Sequence, residues 1–129
     1  MSFLKSLFGL KQPEKSGHDS AVPRFIHLLL LQAQRDEAAE LVIGAASSSG
    51  NTPMRCKVRD IWHDLPPFPA RIRRDVVAEL ARMAGLPAGR FPSKGVLDVR
   101  FGDIRLRWVV AMTSADGECT LKRVDGSRR

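Results

Sequence analysis

The apolar positions of this chain change period along its length. Phe25, Leu28, Leu29 and Ala33, with Ile26 and Leu30 around the edge, keep helical spacing and predict a largely buried helix over residues 22–37. "AELVIGA" at 39–45 reads as a strand, and "SSSGN" at 47–51 is a cluster of turn formers. "PMRCKVRDIW" at 53–62 then alternates, with Met54, Cys56 and Val58 on one side and Arg55, Lys57 and Arg59 on the other. "LPPFP" at 65–69 breaks regular structure, and Pro69 suits the start of a helix over 69–84 with Ile72, Val76, Leu80 and Ala84 at i+4 spacing. Arg71, Arg73 and Arg74 crowd the first turns of that helix, the wrong end for its dipole, so something other than the dipole places them there.

Gly85 stops that helix and 86–95 is a loop; three strands follow at 96–101, 104–112 and 118–124, with turns at Gly102-Asp103 and "SADG". The expected order is α-β-β-α-β-β-β, an α+β fold with an antiparallel sheet of about five strands and its helices on one face. Residues 22–125 form the single domain of this reading and 126–129 a tail. Residues 1–21 hold an amphipathic segment, in which Phe3, Leu4, Leu7 and Phe8 keep helical spacing, and part of a polar linker at 11–23. That segment predicts a weak peripheral contact with a membrane or a partner.

The length, 129 residues, suits one domain with one core. Hydrophobic and charged contents of 43% and 27% are those of a globular chain. A net charge of +7 favours acidic partners, such as nucleic acid, anionic lipid or an acidic protein surface. Cys56 and Cys119 lie far apart at apolar strand positions, which predicts two buried thiols in a reducing compartment and no zinc site. No run approaches the ~20 apolar residues of a membrane span. Lys5 interrupts the apolar N-terminus and no small-residue cleavage site follows, so the sequence predicts a cytoplasmic protein, peripheral at the inner membrane if residues 3–8 bind it.

Candidate chemistry is sparse. No GxxxxGK[ST] loop occurs, and "GRFPSKG" at 89–95 has the wrong order and spacing to cradle phosphates. His18, His27 and His63 are scattered, while Asp36, Glu37 and Glu40 read as solvated carboxylates at a helix end. In Trp62-His63-Asp64 neighbouring side chains point to opposite faces of a strand. The expectation is therefore no catalytic constellation, no metal and no cofactor.

The positive charges are better organised. Parity places Arg55, Lys57 and Arg59, then Arg100, Arg105, Arg107 and Lys122, on the outer side of their strands, with Arg90 and Arg123 as further contributors. If the strands are neighbours, these side chains share one basic face. Phe101 and Trp108 have core parity, so the face is expected to lack the aromatics on which single-stranded RNA stacks.

The second half of the chain resembles the N-terminal domain of the traffic ATPases of type II secretion and type IV pilus assembly. "MRCKVRDIW" at 54–62 is similar to that family's V-R-x-R-x-D-G-x-L strand, and a Leu-Pro step, a helix and "GRFPSKG" follow in the family's order. "RWVVAMTSADGECTLKR" at 107–123 resembles the motif R-V-S-x-x-P-T-x-x-G-E-x-x-V-x-R, with Arg107, Met112-Thr113, Gly117-Glu118 and Arg123 in matching places. "AELVIGA" sits where the family has A-x-D-I-H-I-E-P, without its His and acid, and Pro92-Ser93-Lys94-Gly95 replaces its P-Q-D-G. The resemblance covers about residues 38–124 and implies a PAS-like domain that packs on neighbouring subunits of a hexamer, with some arginines near the nucleotide. The family continues into a RecA-like ATPase whose Walker motifs are not in this sequence. The resulting expectation is a non-enzymatic module that docks a protein partner, a secretion or pilus ATPase or its own assembly, through the basic face. A small nucleic-acid-binding protein using the same charges is the alternative.

Overall fold

The computed structural model describes residues 17–87 and 89–124. Helix α1 (Gly17–Arg35) precedes a meander of three strands, β1 (Ala38–Ile43), β2 (Asn51–Val58) and β3 (Ile61–Pro69). A 3-10 turn at Ala70–Ile72 leads into α2 (Arg73–Met83) and a second meander, β4 (Ser93–Phe101), β5 (Ile104–Met112) and β6 (Cys119–Arg123). All six strands form one antiparallel sheet in the order β3-β2-β1-β6-β5-β4. The two meanders meet at β1 and β6, where Leu41 lies opposite Leu121 and Ile43 opposite Cys119. The prolines keep β3 on one edge, and β4 forms the other.

The fold is α+β with an antiparallel sheet, as the patterning predicts, but it has six strands where about five were expected. The element order is α-β-β-β-α-β-β-β. The difference lies at residues 59–69. Arg59 and Asp60 take left-handed conformations, with φ of 52° and 67°, and make the two-residue turn that suits a hairpin. Neither is a glycine or asparagine, so the turn carries no strong sequence signal. The chain then runs back along β2 as β3. Pro66, Pro67 and Pro69 read as a break, yet β3 is an edge strand, where a residue without an N–H is tolerated. At the other end, α1 reaches back to Gly17 through Pro23, so it occupies part of the stretch 11–23 read as linker. The amphipathic segment with Phe3, Leu4, Leu7 and Phe8 lies outside the described residues.

The core lies between the helices and one face of the sheet. Phe25, Ile26, Leu29 and Leu30 of α1 and Val76 and Leu80 of α2 pack on Leu41, Ile43, Leu97, Leu106, Trp108 and Leu121, all buried. Phe25 meets the ring of Phe68 edge-on at 5.3 Å, and His27 meets Phe101 at 5.1 Å, so this histidine is a packing residue. Both cysteines are buried and free, as expected. Burial pushes the Cys119 thiol up to about 12, and burial followed by the charge of Asp36 raises that of Cys56.

The buried Arg73 explains one of the misplaced arginines. Its Nε donates to the carbonyl of Gly44 at 3.0 Å, and Nη1 and Nη2 donate to those of Ala115 at 3.3 Å and Gly117 at 2.6 Å. One guanidinium thus ties the β1–β2 and β5–β6 loops to the start of α2. Its planar fork can reach three carbonyls at once, which a lysine cannot. Arg71 and Arg74 remain exposed.

Among the described residues no helix is long and apolar enough to cross a membrane.

Candidate docking face

Because α1 and α2 share one side of the sheet, its other side is open among the described residues. Residues opposite one another in an antiparallel register point the same way, so the pairing assigns every side chain to a face. Asp64, Arg55, Val42, Thr120, Ala111 and Lys94 form one row across all six strands of the open face. Trp62, Lys57, Glu40, Lys122, Val109 and Val96 form the next. Arg107 opposite Asp98, and Arg105 opposite Arg100, extend it along β5 and β4. Small apolar residues occupy the middle: Val42 is buried although it points away from the helices.

Six of the predicted site residues therefore meet on one surface: Arg55, Lys57, Arg100, Arg105, Arg107 and Lys122. Three others do not. Arg59 is at the tip of the β2–β3 hairpin, because the strand ends one residue earlier than its alternation suggests. Arg123 lies opposite Trp108 and so has the parity of the helix-bearing face. Arg90 is exposed on the loop between α2 and β4, off the sheet.

The face also carries acids that reduce its charge. Asp98 accepts from Nε and Nη2 of Arg105 at 3.2 and 2.9 Å, and Nε of Arg107 lies 3.6 Å away. The hydrogen bond from Arg105, followed by the charges of Arg105, Arg107 and Arg100, holds the Asp98 carboxyl below its ordinary range. Lys57 stands 3.7 Å from Glu40, and Arg55 4.0 Å from Glu118. These solvated pairs add little stability, but they fix where side chains rest. Lys122 and Lys94 have no ion-pair partner among the described residues, and Arg100 acts on Asp98 by its charge without a direct ion pair.

The expectation that the face lacks an aromatic is corrected by Trp62. It lies opposite Lys57, is 42% exposed, and stands 4.9 Å from the guanidinium of Arg55 and 5.7 Å from Nζ of Lys57. The turn at Arg59-Asp60 reverses the parity that a continuous strand over 53–62 assigns to Trp62. The alternation of "IWHDL" after an Arg-Asp pair is the signal that could have revealed this.

A concavity of about 630 Å³ lies on the helix side between the end of α1 and the β2–β3 hairpin. Cys56 and His63 both line it and are opposite one another in the register. They share no hydrogen bond, and the Cys56 thiol is shifted away from ionisation, the reverse of what an activated cysteine needs. Among the described residues no cluster of three His, Cys, Asp or Glu could hold a metal ion.

Compared with known proteins, the chain matches no family model and no curated sequence.

Proposed function

We propose that this chain is a non-catalytic interaction module that docks an acidic protein partner through the open face of its sheet, in a secretion or pilus assembly system. The observation that carries the reading is the convergence of Arg55, Lys57, Lys122, Arg107, Arg105 and Arg100 on a sheet face that neither α1 nor α2 covers. A strip of Val42, Thr120, Ala111, Val109 and Val96 runs between the cations. Apolar contact in the middle and charge around it is the arrangement of a protein interface. The place in secretion or pilus assembly, and the PAS-like description of the fold, rest on the motif resemblance. An antiparallel sheet with helices on one side supports it.

Trp62 beside Arg55 and Lys57 favours a second reading, in which the same face binds nucleic acid by stacking and phosphate contacts. Salt separates the two. Fluorescence anisotropy with mixed-sequence DNA and RNA, from low to moderate salt, is expected to show no binding. Micromolar affinity that falls with salt, with a log–log slope of roughly −0.9 per phosphate neutralised on duplex DNA, and that is lost in Trp62→Ala, would replace the protein reading with the nucleic-acid one.

A further inference from the structure

Among the described residues the sheet has two free edges, and they are built differently. β3 contains Pro66, Pro67 and Pro69, which cannot donate to a further strand. β4 is nine residues long, has no proline, and among the described residues pairs along its whole length with β5 only. The bond from Val124 N–H to the Arg107 carbonyl, 3.0 Å, turns the backbone of Arg107 towards β6. By alternation Leu106 and Trp108 turn towards β4, so Val99 and Leu97 bond to β5. Lys94, Val96, Asp98 and Arg100 then direct their N–H and C=O groups out from the sheet. The two-residue turn between Phe101 and Ile104 gives the same alternation.

We propose that β4 is a self-complementary edge on which a second copy of this chain pairs antiparallel about Val96. Centred there, Lys94 of each copy falls opposite Asp98 of the other, and the two Val96 side chains, each 45% exposed alone, meet on the dyad. Both contacts lie on the open face. Asp98 already accepts from Arg105, but a carboxylate has room for another donor. The neighbouring registers are worse. Centred on Leu97, Lys94 faces Arg100; centred on Asp98, two carboxylates face each other. Like charges directly opposite are unfavourable, and centring on Gly95 sets Lys94 opposite Val96 with no ion pair, so only the register about Val96 joins Lys94 to Asp98. Pairing this way joins two sheets into one and doubles the basic face.

Sedimentation equilibrium on the full chain, from roughly micromolar to millimolar at low salt, is expected to show a reversible monomer–dimer equilibrium that weakens with salt. Lys94→Asp and Asp98→Lys each place two like-charged pairs across the dyad, and each should weaken self-association at least ~10-fold. Mixed in equal amounts, these two variants present only opposite charges to each other and should regain a heterodimer. Val96→Pro removes an outward N–H at an edge, where proline is tolerated, so it should melt near the wild type yet remain monomeric. Circular dichroism melts check that each variant folds. If Asp98→Lys does not, Lys94→Asp and Val96→Pro decide the question. A wild-type monomer at millimolar concentration, or a dimer that Lys94→Asp and Val96→Pro leave intact, would overturn the proposal.

Discussion

Arg73 shows how much one side chain can hold in place. Its guanidinium is buried with no carboxylate partner among the described residues and donates to the carbonyls of Gly44, Ala115 and Gly117. Arg73→Met removes the donor from three carbonyls, those of Gly44 and Gly117 half-buried and that of Ala115 exposed, and thermal melts should show a loss of about 1–3 kcal/mol, in keeping with lost charged hydrogen bonds. Arg73→Lys should recover only part of it. Trp108 and its neighbours test the assignment of faces. Trp108 is fully buried, so Trp108→Ala should lose about 3–5 kcal/mol. Arg105 and Arg107 face the other way, Arg105 exposed and Arg107 half-buried, and both pair with Asp98. Replacing both with Ser should cost within about 1 kcal/mol, as exposed pairs do. An arginine pair that unfolds the protein while Trp108→Ala does not would mean that the register of β5 is reversed.

At the scale of elements, β4 and β5 were legible because strict alternation and a glycine turn agree, Gly102 with φ of 60° beginning the hairpin. Gly95 shows the tertiary constraint that alternation does not carry. A Cβ on it would stand 2.5 Å from the Ala84 carbonyl oxygen and 2.7 Å from Cδ2 of Leu86, because the end of α2 crosses β4 there. Gly95→Ala should therefore destabilise by about 1–3 kcal/mol, the usual cost of overpacking, as read from denaturant midpoints. β3 was not legible. Its prolines suit an edge, and edge status is a property of the whole sheet, not of a nine-residue window. The missed hairpin had consequences beyond one strand: it moved Arg59 from the face to a tip and Trp62 onto the face. Nor could local pattern reveal the role of Arg73, whose partners lie 29, 42 and 44 residues away. Its odd position at a helix start was visible; the loops it ties were not.

Over the whole molecule, the basic face was legible wherever parity within a strand was right, since neighbouring strands then add their outward residues to one surface. Its acids were not, because Glu40, Asp98 and Glu118 find their cations only through the register. The open face is thus a patterned surface with fixed ion pairs, a cation at Lys122 without an ion-pair partner among the described residues, and an exposed indole at Trp62. Such a surface suits recognition of a shaped acidic partner more than diffuse attraction. Site-specific photocrosslinking in the native cell tests this most directly. A photoreactive side chain at Lys122, exposed on β6 in the open face, is compared with one at Ala78, exposed on α2 on the opposite layer. The account predicts a discrete protein adduct from position 122, lost when Arg55 and Lys57 are both changed to Glu, and none from position 78. Adducts from 122 that nuclease removes, or a protein adduct from position 78 alone, would contradict it.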